Sequence, residues 1–409
     1  MSEATVTQPP SSSPSGARSG SGAARPLDLL YSETETELRA AVRDVLEDKA
    51  AWPDVLARTE TAEAYDGDLW RTLAAEVGVA GLLIPEDLGG AGASYREAAV
   101  VAEELGRSVA PVPFLGSAVV ATTALMSAGH SALLRELASG ALTAALAVPF
   151  AAAPDRELAR TVRLSGARDG DEPGVYRLTG EVRGAVDALP AGVLLVPADG
   201  VPFGLFAVDV AEARAAGALN VVPVVSLDQT RQLADLSFDS APARQIAVGE
   251  QADAAIHAAL VAGAGVLASE QFGLAERALD STVAYVNERR QFARPVGGFQ
   301  AIKHRLADLW VAVSQARAAA RAAADRLARW EESPTETELM VALAKQACSD
   351  TALKAAQEMI QLHGGIGFTW EHPAHLFLKR AKADSIGYGT ADAHRASLAR
   401  LANLPAPLA

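Results

Sequence analysis

Apolar residues recur every three or four positions along most of the chain, first in Leu38, Val42, Val45 and Leu46, and that period predicts helices. Ser32 precedes this run as an N-cap. Helices are also expected over 68–77 and 94–105, with a Gly/Pro-rich loop at 85–93 between them. From about Leu142 to Gly249 the pattern changes. Short apolar runs at 145–148, 175–178, 193–196, 205–208 and 220–225 are separated by Gly, Asp and Pro, and predict strands. Helical periodicity resumes over roughly 252–290, 299–330 and 335–362, followed by shorter helices at 370–384 and 392–401, which predicts an antiparallel bundle.

The fold class is therefore mostly α with a central β domain. The expected domains are a disordered tail at 1–26, an N-terminal helical domain at 27–141, a middle β domain at 142–249 and a C-terminal helical bundle at 250–409. The tail, with its SSSPSGARSGSG run, has too little apolar surface to offset the entropy of ordering it.

Composition narrows the functional classes. Half the residues are hydrophobic but only 5% are aromatic, and the excess is alanine, which suits closely packed helices. The formal charge of −14 argues against a nucleic-acid or anionic-membrane surface. The single cysteine, Cys348, lies in a helical alanine run and reads as a buried thiol in a reducing compartment. No secretory signal is evident, and no later stretch reads as a membrane span, so a cytoplasmic location is expected.

Chemistry concentrates in two stretches. In QLHGGIGFTWEHPAHLFLKRAKADSIGYGTADAHR, residues 361–395, glycines 364, 365 and 367 follow one helix, and Gly387, Gly389 and Thr390 precede the last. Such turns leave backbone N–H groups open to an anion, and two of them suit one phosphate-bearing cofactor; they serve equally as helix-connecting turns. In ERRQFARPVGGFQAIKHRLADLW, residues 288–310, Arg289, Arg290 and Arg294 surround Phe292. Guanidinium groups bind phosphate and aromatic rings flank a planar base, although the same arginines also suit a solvated helix C-terminus. His372 and His375 share a helical face, but no further cluster completes a metal shell.

These motifs, with GVAGLLIPEDLGGAGAS, EELGR and APVPF upstream, resemble the acyl-CoA dehydrogenase flavoprotein family in order and spacing from about Tyr31 to Leu404. The resemblance implies a helical N-terminal domain, a middle β-barrel-like domain and a C-terminal four-helix bundle. It also implies FAD, with Arg289, Gln291, Phe292 and Gln300 holding its adenosine diphosphate part across a subunit interface. Gln361, Gly364 and Gly365 would meet the same region, and Gly389 and Thr390 the flavin and its phosphates. The implied reaction is α,β-dehydrogenation of an acyl-CoA or acyl-carrier thioester to the trans-2-enoyl thioester. Electron-transfer flavoprotein is the implied electron acceptor, and a homo- or hetero-oligomer the implied assembly.

Two departures bear on that expectation. The residue before Gly389-Thr390 is Tyr388, where most of the family carries the glutamate that removes the α-proton. A phenol with an ordinary pKa near ~10 is a poor base at neutral pH. A minority of the family carries the base on the first long bundle helix, at a site that aligns near Gly263. Glu270 lies two turns away, and Asp392 is the nearest carboxylate to the usual position. The family's Thr-Glu-Pro segment and Gly-Ser turn are replaced by AVPFAAAPDRELA at 147–159. The chain thus resembles the base-lacking member of a two-subunit enzyme; the alternative is a catalytically silent structural or acyl-thioester-binding subunit.

Overall fold

The structure, a computed structural model, describes residues 25–61, 65–165 and 174–405. The expected disordered tail falls almost wholly outside them. The N-terminal part holds α1 (Glu33–Lys49), α2 (Trp52–Thr59), α3 (Gly67–Thr72), α4 (Tyr95–Ser108), α5 (Thr122–Ser127) and α6 (Ser131–Leu137). Ser32 and Glu35 form a reciprocal capping box at α1, with Ser32 N–H donating to Glu35 Oε2 at 2.8 Å. Glu35 is also buried against Arg96 of α4 and Arg321, so one carboxylate both starts α1 and fixes it to two other helices.

Among the described residues the middle part is one seven-stranded sheet: β1 (Ala144–Leu146), β2 (Val162–Leu164), β3 (Val175–Val186), β4 (Val193–Ala198), β5 (Gly204–Asp209), β6 (Leu219–Val224) and β7 (Leu233–Val248), with α7 (Val210–Ala215) after β5. The order is β1-β4-β5-β7-β3-β2, and β6 pairs with β7. The sheet curls onto itself: Leu164 N–H donates to Asp199 O, and Asp199 N–H to Val162 O, both at 2.8 Å, linking β2 to the end of β4.

The C-terminal bundle comprises α8 (Glu250–Glu288), a small hairpin of β8 (Arg290–Gln291) and β9 (Arg294–Pro295), α9 (Gln300–Leu327), α10 (Pro334–His363), α11 (Ala374–Asp384) and α12 (Ala391–Leu401). One sequence expectation needs correction: α8 is long and apolar enough to cross a bilayer. Most of that apolar stretch is buried, however, in contact with α4, α9 and α10, so its hydrophobicity serves the core. Cys348 lies inside the bundle, fully buried, its thiol pushed up to about 12 by burial.

Candidate functional site

One end of the bundle gathers the basic-aromatic turn and the first glycine turn. The ring of Tyr285, on the last turn of α8, stacks on His363 at 4.3 Å, and its hydroxyl donates to His363 O at 3.3 Å. This contact joins the end of α8, which leads into Arg289, to the end of α10, which holds Gln361 and leads into Gly364 and Gly365. Arg289, Gln291, Phe292, Gln300, Gln361, Gly364 and Gly365 are all exposed. A β-carbon at Gly364 or Gly365 would meet nothing within 4 Å, so the surface there is open to a ligand or partner.

The β8–β9 hairpin is turned by Phe292 and Ala293, at φ 51° and 62°. A two-residue turn with both φ values positive favours Asn-Gly, and a non-glycine residue costs ~1–2 kcal/mol in that conformation. The strained turn displays Phe292 outward, 87% exposed, with Arg294 against the Phe299 ring at 3.8 Å. Phe368 and Trp370 are also exposed, at 75% and 63%. His372 packs on His363 and His375 on Trp370, so these histidines belong to an aromatic stack. No group of three or more metal-ligating side chains occurs among the described residues.

The second turn lies elsewhere. Lys345 of α10 donates to Asp384 O at 2.9 Å and Gly389 O at 3.4 Å. Lys345 and Gln361 are sixteen residues apart on one helix, roughly 24 Å at a rise of about 1.5 Å per residue. A single chain therefore does not bring its two glycine turns onto one phosphate group.

The Gly387–Thr390 turn is also closed. Tyr388, φ 50° and 1% exposed, donates its N–H to Phe150 O at 2.7 Å, and its own carbonyl accepts from His394 Nε2 at 2.9 Å. Gly389 N–H donates to Ile386 O, and Thr390 Oγ1 caps α12 by accepting from Ala393 N–H. The Tyr388 ring meets Phe150 edge-on at 5.4 Å and fills the space beside Gly263, where a β-carbon would come within 3.0 Å of it. A β-carbon at Gly387 would collide with Phe150 at 2.2 Å. Positions 263 and 388, the two singled out from the resemblance, thus face one volume, which the Tyr388 ring occupies with Phe150 packed against it. Burial raises the Tyr388 phenol further above its ordinary value, and its hydroxyl has no hydrogen-bond partner among the described residues.

Neither carboxylate considered as a substitute base is free. Asp392 is solvent-exposed and paired with Arg395. Glu270 is buried between Arg231 and Arg380, whose charges hold its carboxyl low against the opposing effect of burial. Arg380 also pairs with Asp228 at 2.8 Å, and Arg231 with Asp384 at 3.3 Å. Burial, reinforced by Glu270, raises Asp384 to about 7. The cluster ties the loop at 228–232 to α8 and α11 beside the aromatic pair.

Residues 32–142 match the family model for the acyl-CoA dehydrogenase N-terminal domain, and residues 253–402 that for the C-terminal domain. The chain belongs to the acyl-CoA dehydrogenase family. It is 35% identical over 350 residues to Acyl-CoA dehydrogenase IpdE2 of Mycolicibacterium smegmatis, covering 86% of this chain and 93% of that protein. IpdE2 of Mycobacterium tuberculosis is 36% identical over 350 residues, with 85% and 91% covered. Among solved structures, the Tcur3481-Tcur3483 steroid ACAD, in a variant form, matches at TM-score 0.76 and 31% identity, covering 91% of this chain and 98% of that one. The ChsE4-ChsE5 complex from Mycobacterium tuberculosis matches at 0.79 and 26%, covering 93% and 100%.

Within this family the fit to FAD is divided. The bundle end offers exposed cations, an outward aromatic ring and open glycines, which suit the adenosine diphosphate part. At the Tyr388 turn the Tyr388 and Gly389 N–H groups are committed and the Tyr388 ring fills the volume beside Gly263, which does not suit the flavin end.

Proposed function

We propose that the chain is the base-lacking subunit of a two-chain acyl-CoA dehydrogenase. Its bundle end would supply the adenosine diphosphate side of an FAD site completed by a partner chain that carries the carboxylate base. The packing of Tyr388 against Gly263 carries this reading. It leaves neither base position available, and the Tyr388 N–H that would polarise a thioester carbonyl is bound to Phe150 O. The roughly 24 Å between the two glycine turns supports it independently, because only a second chain can bring a flavin-binding turn to the exposed bundle end.

FAD bound in the shared site would accept the β-hydride as the partner's base removes the α-proton, and electron-transfer flavoprotein would reoxidise it. Arg289 would pair with the diphosphate and Phe292 would flank the adenine. The substrate is an acyl-CoA or acyl-carrier thioester. A fused-ring acyl group is favoured by likeness to a solved steroid enzyme at 31% identity over 91% of the chain.

A catalytically silent structural or acyl-thioester-binding subunit is the second reading, favoured by the same closure of the Tyr388 turn. FAD retention separates the two. Co-purification with a family partner that carries a base should yield a flavin-bearing complex that loses FAD when Arg289 is replaced by Ala. Retention unchanged by that substitution contradicts the shared site.

A further inference from the structure

A cleft of about 300 Å³ opens between α6 and the strands β3, β4, β5 and β7, apart from the glycine and arginine turns. It joins two parts of the fold, because α6 closes the N-terminal helical part and the strands belong to the sheet. Small molecules commonly bind at such junctions, in clefts of this size. The sheet supplies the floor. Arg244 of β7 pairs with Ala207 of β5 on one side and Val175 of β3 on the other, so the three form one row. Asp209, two residues along β5 from Ala207 and on the same face, pairs with Val193 of β4, and Ile246 follows Arg244 in the same way. Leu133 and Glu136 of α6 and Glu212 of α7 complete the lining used here.

The charges in the cleft are unequal. Glu136, Glu212 and Arg244 have no ion-pair partner among the described residues. Asp209 accepts the Glu212 N–H at 2.8 Å, and His130 Nδ1 accepts the Leu133 N–H at 3.4 Å. Three carboxylates thus stand against one guanidinium. An apolar cleft with that surplus of negative charge is complementary to an apolar molecule bearing a positive one. We infer that the cleft binds an amphipathic organic amine, with its ammonium among Glu136, Asp209 and Glu212 and its body against Leu133, Val193 and Ile246. The inference does not depend on how FAD is held or which chain supplies the base. One occupant touches both the helical part and the sheet, so its binding stabilises their junction.

The test is calorimetric titration of the full chain, in the assembly in which it purifies, with three molecules that share an indole body: tryptamine, neutral tryptophol and anionic indole-3-propionate. Tryptamine should bind and raise the melting temperature, tryptophol should bind about tenfold more weakly, and indole-3-propionate should bind more weakly still. Replacing Glu136→Gln and Glu212→Gln together should weaken tryptamine about fivefold to tenfold and leave tryptophol unchanged. Arg244→Gln removes the opposing charge and should tighten tryptamine. Ala132→Trp places a ring in the cleft from an exposed position and should abolish binding of both tryptamine and tryptophol. The inference is overturned if tryptamine does not bind at millimolar concentration, if indole-3-propionate binds as tightly as tryptamine, or if either the paired Gln variant or Ala132→Trp leaves tryptamine binding unchanged.

Discussion

The ring of Tyr388 stands where a side chain on Gly263 would begin: a β-carbon there would lie 3.0 Å from Cε2 and 3.1 Å from Cζ. Two positions 125 residues apart therefore compete for one volume. A glycine at 263 and a ring at 388 therefore fit one another.

The Tyr388 hydroxyl is buried without a partner among the described residues, a state that costs ~1–3 kcal/mol. Tyr388→Phe is expected to leave the melting temperature unchanged or raise it. Tyr388→Glu should lower it, because a carboxylate would be buried where a neutral ring packs. Tyr388→Glu alone should also fail to generate flavin reduction, since Phe150 still fills the site. Thermal melts of both variants, with acyl-CoA bleaching assays, check the pair of outcomes.

Arg289→Ala removes a charged hydrogen bond of ~1.5–3 kcal/mol from the proposed diphosphate contact, or about tenfold or more in affinity. The FAD dissociation constant of the assembled enzyme should rise accordingly while the melting temperature of the chain alone stays constant, since Arg289 is exposed.

The Phe292-Ala293 turn sets local strain against function. Replacing it with Asn-Gly should stabilise the isolated chain by ~1–2 kcal/mol and weaken FAD retention in the assembly. Stability rising with FAD retention unaffected would mean that the exposed ring has no role in the site.

Burial raises Glu103 to about 7, and Tyr31 donates to it at 2.7 Å. Its folded pKa exceeds its unfolded value, so between about 4.5 and 7 the folded state holds the extra proton and stability falls as pH rises. Glu103→Gln should flatten the melting temperature across that window. An unchanged slope would show that Glu103 is ionised throughout.

The helical parts were legible because long amphipathic periods survive in sequence: α8, α9 and α10 begin and end within two or three residues of the expected limits. The central strand β7 was missed, although β3, β5 and β6 all pair with it. Asp, Ser, Gln and Pro242 interrupt its apolar alternation, because it meets different neighbours along its length. At the site, the glycine and arginine motifs were visible as local patterns. The filling of the Tyr388 turn was not, since it depends on Phe150, Gly263 and Gly387 meeting across three elements. The 147–159 segment gave the available signal, with Phe150 amid small residues where the family has a glycine-serine turn. Arg231, Arg380 and Asp384 were likewise hidden, each resembling a surface charge until the fold buries them together.

The most direct measurement is the FAD content of the complex between this chain and a base-bearing family partner, combined with stopped-flow bleaching by the thioester. The account predicts one FAD per pair of chains. It predicts bleaching that falls ~10²–10⁴-fold when the partner's base is neutralised and is unaffected by Tyr388→Phe. One FAD per chain, or rapid bleaching of this chain without a partner, would contradict it.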